Sequence, residues 1–182
     1  MPASVLARPS SADYPEHFGK YIGLVPAGDL VEVMTTQIAT LRALLEPVGE
    51  EGAGYAYAPG KWTIREVIGH LTDTERVFAY RATAFSRGDA QPLPGFDQDA
   101  WLPFAKFDER SLVDLLDEFT DTRRSSLALV RGMPEEALDR RGIANGKEIS
   151  VLSCICNMPG HVKYHIDHLQ KVYGIGAGEV RA

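Results

Sequence analysis

Four stretches of this chain place apolar residues at every third or fourth position, and each is fenced by residues that start or stop a helix. An amphipathic helix needs that spacing to present one apolar face, whereas a half-buried strand alternates at every second residue. The first stretch follows Asp29, a natural N-cap, and carries Leu30, Met34, Ile38, Leu41 and Leu45 before Pro47 and Gly49. The second follows a Pro59-Gly60 turn and the capping-box pair Thr63 and Glu66. Its stripe is Ile64, Val67, Ile68, Leu71, Phe78, Ala82 and Phe85, closed by Gly88-Asp89. The third runs from about Glu109 to Val130 through Leu112, Leu115, Leu116, Phe119 and Leu127, and is stopped by Gly132 and Pro134. The fourth runs from about Val151 to Tyr173 through Ile155, Met158, Val162, Ile166 and Leu169. Pro159 inside it predicts a kink or a local break. No segment reads as a convincing strand and no internal repeat is visible. The pattern predicts an all-α protein, a four-helix bundle.

The 182 residues suit one domain spanning 1–182. Residues 1–28 are rich in Pro, Ser and Gly and read as an extended arm docking through Tyr14, Phe18, Tyr21, Ile22 and Val25, while 174–182 reads as a flexible tail. Residues 91–107 form a long irregular connection with aromatic anchors, of the kind that often carries function. Trp62 and Trp101 read as core anchors. The formal charge is -6, which argues against nucleic-acid binding. The one tight basic cluster, Arg123-Arg124, reads as a solvated helix face. Cys154 and Cys156 point to different sides of a helix and do not pair, as expected in a reducing compartment. There is no apolar run of signal-peptide or membrane-span length, so the chain reads as cytoplasmic and free of the membrane.

Four of the five histidines fall on two of the predicted helices. His161, His165 and His168 stand at i, i+4 and i+7 along one edge of the fourth stripe. His161 and His165 are one turn apart, so two imidazoles can hold one ion. The spacing alone is a weak signal, and core-edge histidines bonded to their neighbours would look the same. His70 flanks the stripe of the second helix and can point into the same seam. Three imidazoles suit zinc, nickel, iron or copper and leave at least one coordination position open. No His-Glu-x-x-His or Glu-x-x-His motif occurs, and there is no Walker loop, dinucleotide fingerprint or nucleophile elbow. Glu75 falls on the apolar side of its helix and needs a partner: either a metal-bound histidine that it orients, or an arginine of another helix. Arg81 lies on the side of His70 and Thr74 and is either an anion-binding group or a surface ion-pair member. Glu75 and Arg81 are the weaker catalytic candidates. His17, in the arm, reads as a surface residue.

Several segments resemble the DinB/YfiT-like family: YAPGKWTIREVIGHLTDTERVFAYRATAFSRGD, then PGFDQDAW, LLDEFTDTRRSSLALVRGMPEEALDRRG and GHVKYHIDHLQ, with YIGLVPAGDL near the start. The resemblance spans about Tyr14 to Tyr173. It implies a four-helix bundle of up-down-down-up order, often dimeric, with a divalent metal held by His70, His161 and His165 and with His168 as a bystander. It also implies a small-molecule substrate and chemistry on a water or a low-molecular-weight thiol, since relatives include thiol-dependent S-transferases and isomerases and metal-dependent hydrolases. Zinc, nickel, iron and manganese are not separated by it. The alternative is a non-catalytic, stress-associated binding protein in which the metal is structural.

Overall fold

The computed structural model describes residues 7–176. In chain order its α-helices are α1 (Gly19–Ile22), α2 (Leu30–Leu45), α3 (Gly49–Gly52), α4 (Ile64–Ser86), α5 (Gln98–Ala105), α6 (Leu112–Arg131) and α7 (Val151–Lys171). A small antiparallel hairpin, β1 (Arg141–Ala144) and β2 (Lys147–Ser150), precedes α7. Each long helix starts on a side-chain cap. Val31 N–H donates to Asp29 Oδ1 at 2.8 Å, Asp114 N–H to Ser111 Oγ at 3.1 Å, and Ser153 N–H to Ser150 Oγ at 3.1 Å. At α4 the capping box closes in both directions: Glu66 N–H donates to Thr63 Oγ1 at 3.1 Å and Thr63 N–H to Glu66 Oε2 at 2.7 Å.

The four long helices form an up-down-down-up bundle. Helix α2 packs on α6 and α7, and α4 packs on the same two, so α2 lies diagonally from α4. Two apolar clusters give the directions. One joins Leu30 and Met34 of α2 to Phe78 and Phe85 of α4, Leu127 and Val130 of α6, and Val151 and Ile155 of α7. The other joins Leu41 and Leu45 to Ile64 and Ile68, Leu112 and Leu115, and Val162 and Leu169. The start of α2 therefore lies with the ends of α4 and α6 and the start of α7. Between the clusters the interior turns polar, with Gln37, Thr74, Glu75, Arg123, Asn157 and His161 all buried.

Five features depart from the sequence reading. The hairpin was not expected, although Asn145-Gly146 is a strong two-residue hairpin signal: both residues have positive φ, 51° and 69°, as a type I′ turn requires. The connection at 91–107 is not wholly irregular, because Asp97 caps α5 within it. In that helix Trp101 is 44% exposed and Phe104 86% exposed, so Trp101 is not a core anchor. The third helix starts at Leu112, capped by Ser111, rather than near Glu109. Of the kink or local break expected at Pro159, the break is absent, since α7 is continuous through it. Arg123 is 0% exposed, so the Arg123-Arg124 pair is not a solvated face, although Arg124 does lie on the surface.

The arm is partly helical. Its Ile22 is buried, and Tyr14, Phe18 and Val25 pack on the first apolar cluster. Gly160 lets α1 cross α7 closely, since a Cβ there would overlap the Tyr21 carbonyl. Residues 1–6 of the arm and 177–182 of the expected tail lie outside the described residues. Among the described residues no helix is long and apolar enough to cross a membrane.

Candidate metal centre

Helix α4 carries His70 two turns in from its N-terminus, and α7 carries His161 and His165 one turn apart. Because α4 and α7 pack against each other, the three rings meet in the seam between them. His70 Nε2 lies 3.1 Å from His161 Nε2, and His165 Nε2 lies 3.2 Å from the same atom. One ligand atom from each residue fits within 4.8 Å of the other two, and all three side chains are buried. Two nitrogens bound to one tetrahedral zinc, each about 2.0–2.1 Å from the ion, stand about 3.3 Å apart. The donor set and its spacing therefore fit a divalent ion.

The electrostatics also fit. Burial holds the His70 imidazole neutral, with its pKa lowered from 6.5 to about 4. His165 is lowered to about 3, by burial first and then by the charges of His70, His168 and Lys20. His161 is pushed well below 6.5 by burial and by its two histidine neighbours. A neutral imidazole is the form that binds metal. An Nδ1–H on His70 has Thr74 Oγ1 at 3.4 Å as an acceptor, and that tautomer frees Nε2 for an ion. His165 Nδ1 is buried with no hydrogen-bond partner among the described residues.

Aromatic rings fix the histidines from outside. Trp62 stands 4.8 Å from His70, Tyr21 stands 5.1 Å from His161, and Tyr164 stands 5.3 Å from His165, centroid to centroid. Trp62 thus packs on the site as well as on the apolar cluster. His168 faces Tyr57 and stacks on Tyr164, outside the three-ring cluster. His17 is exposed beside Phe18.

Two cavities that share a border reach different histidines. A cavity of about 350 Å³ meets His70 and His165 and is lined by Lys20, Lys61, Trp62 and Tyr164. A smaller one, of about 180 Å³, meets His161 and is lined by Phe78, Arg81, Phe96 and Asn157. Tyr21 and Gln98 border both.

The two weaker candidates part company. Glu75 turns away from the histidines to Arg123 of α6, whose Nε lies 2.8 Å from Oε1 and whose Nη2 donates to Oε2 at 2.9 Å. Arg81 is buried against the smaller cavity, and no described carboxylate lies within ion-pairing distance of it, so it forms no surface ion pair. Sequence reasoning passed over Asn157 and the approach of Tyr21 to His161. Asn157 carried one signal, a polar residue in an apolar stripe one turn before His161. Cys154 and Cys156 are unpaired, and burial raises both thiols to about 12.

The DinB superfamily profile matches residues 34–169. A curated protein of Oceanobacillus iheyensis, named "Putative metal-dependent hydrolase OB0413", is 24% identical over 127 residues, covering 68% of this chain and 71% of that protein. The solved structure of YfiT from Bacillus subtilis, described as "a probable metal-dependent hydrolase with an unusual four-helix bundle topology", superposes with a TM-score of 0.70 at 18% identity and covers 92% of each chain.

Proposed function

This chain belongs to the DinB superfamily, and on that premise we propose that it is a metal-dependent enzyme acting on a small electrophilic substrate. His70, His161 and His165 are the ligands of its divalent ion. The carrying observation is the convergence of their Nε2 atoms at 3.1 and 3.2 Å in a buried seam. The names of the Oceanobacillus and Bacillus relatives support hydrolysis. A divalent ion held there supplies Lewis acidity, lowering the pKa of a water or thiol that it binds.

The protein's own part is positional. Burial keeps the three imidazoles unprotonated near neutral pH, Thr74 gives the His70 Nδ1 a hydrogen-bond partner, and the rings of Trp62, Tyr21 and Tyr164 pack around the histidines and hold them in place. Transfer of a low-molecular-weight thiol is the second reading. One observation favours it: two separate cavities meet the histidines, which gives a substrate and a second reactant each its own approach.

The test is elemental analysis of the purified protein, then turnover of p-nitrophenyl acetate and of 1-chloro-2,4-dinitrobenzene with N-acetylcysteine, before and after chelation. The expected result is bound divalent metal and turnover that chelation removes and added metal restores. Turnover unaffected by chelation overturns the metal mechanism. Bound metal with no turnover of any electrophile favours a structural ion.

A further inference from the structure

The smaller cavity holds two buried polar groups that the protein leaves unmatched. Asn157 is 1% exposed, and neither its side-chain oxygen nor its nitrogen has a hydrogen-bond partner among the described residues. Burying an amide in that state is costly, and native interiors rarely do so without a ligand or water to complete it. Arg81 is 4% exposed and makes one hydrogen bond, from Nη2 to the Pro94 carbonyl at 3.1 Å. Its guanidinium lies 5.0 Å from the Phe78 ring centroid. No described carboxylate pairs with it. A buried cation without a counter-charge is as unusual as an unpaired amide.

The order of these groups along the helices matters. Asn157 sits one turn before His161 on α7, and Arg81 lies within electrostatic reach of Cys154, two turns before His161. Two turns correspond to about 10 Å. The cavity thus runs from the histidines past Asn157 to Arg81. Its remaining wall carries Lys147 and His17 but no carboxylate, in a chain whose net charge is -6. Phe18, Phe78 and Phe96 give it an apolar side, beside the neutral polar side chains of Thr74, Gln98 and Asn145.

We propose that this cavity is a carboxylate-recognition subsite: Arg81 pairs with the carboxylate of a small substrate that has an apolar body, and Asn157 hydrogen-bonds that substrate where it passes towards His161. A planar guanidinium matches the two oxygens and single charge of a carboxylate. A phosphate group carries up to about two charges and would need a second buried cation, whereas Lys147 is exposed. The inference deepens the enzymatic reading by naming a substrate class, and it rests on that reading for the reacting end.

The experiment is calorimetric titration with phenylacetate and its neutral isostere phenylacetamide, on metal-free and zinc-loaded protein. Phenylacetate is expected to bind both forms and the amide at least about tenfold more weakly. Arg81→Gln lowers the phenylacetate affinity at least about tenfold and leaves the amide unchanged. Arg81→Lys retains part of the affinity. Asn157→Asp places a competing carboxylate in the cavity and abolishes phenylacetate binding, and it serves as a second readout if Arg81→Gln does not fold. Equal affinity for acid and amide, no binding of phenylacetate to the wild type, or zinc-dependent binding indifferent to Arg81 each overturn the proposal. If phenylacetate binding depends on Arg81 while zinc does not bind at all, the subsite stands and the metal reading alone fails.

Discussion

Glu75 and Arg123 meet in the polar layer that divides the two apolar clusters, joined by two contacts of 2.8 and 2.9 Å and shut off from solvent. Arg123 also donates to Gln37 Oε1 at 2.9 Å and to the Met34 carbonyl at 3.3 Å, so one guanidinium ties α2, α4 and α6 together. Removing one member leaves the other as an uncompensated buried charge. Glu75→Ala and Arg123→Ala are each expected to cost about 3–5 kcal/mol in urea unfolding. Replacing both with apolar residues of similar size is expected to cost much less. Because the hydrogen bonds of both residues go to each other, Gln37 and Met34 and none to a histidine, Glu75→Gln should retain metal in elemental analysis if it folds, and loss of metal from a folded Glu75→Gln protein would contradict the structural role.

The histidine site predicts a graded result in metal content. His70→Ala, His161→Ala and His165→Ala each remove one of three nitrogens and are expected to purify with little or no divalent ion. His168→Ala keeps the three-ring cluster and is expected to match the wild type. Equal metal in all four variants would show that the ion sits elsewhere.

The lowered histidine pKa values fix the direction of the pH response. His70 and His165 titrate at about 4 and about 3 in the folded chain, against 6.5 when unfolded. Between those values the unfolded chain binds more protons, so stability rises with pH across the window and is lost as pH falls through it. Metal-free protein should therefore have a lower urea midpoint at about pH 4.5 than at about pH 7, and His70→Asn should flatten that difference. Bound metal should be released over the same acidic range, because protons compete for the same nitrogens. A midpoint that rises on acidification would contradict the buried, neutral imidazoles.

Gly160 is the point where the arm touches the site. Gly160→Ala pushes a methyl into the Tyr21 carbonyl and is expected to destabilise the fold by about 1–3 kcal/mol. Tyr21 should move off His161, which near-ultraviolet circular dichroism and faster metal loss to a chelator would register. Unchanged chelation kinetics would mean that α1 does not brace the histidine.

The long helices and the three histidines that cluster were legible because both are local patterns: caps, apolar periodicity and a one-turn histidine spacing survive in a single sequence. What escaped depends on contacts between distant segments. The hairpin strands are four residues each, too short for alternation to register, and only Asn145-Gly146 betrays them. Helix α5 was masked by Pro103 and by the Pro and Gly that precede it. Arg123 looked like surface beside Arg124, because its partners come from two other helices. Asn157 matters only once α4 has brought Arg81 to the same cavity.

The order of the helices bears on how such a site could be altered. Because α4 and α6 run the same way, the chain must travel back along roughly the length of α6, some 30 Å, to begin it. That return segment, 87–111, brings Gly95, Phe96 and Gln98 to the smaller cavity and Asp99 to the larger. A bundle of successive antiparallel hairpins would have no such segment. The histidines, Arg81 and Asn157 all sit on packed helices, while part of each cavity wall sits on a crossing strap. Changes in the length or sequence of that strap can reshape what the protein accepts while the nitrogens that would bind metal keep their positions.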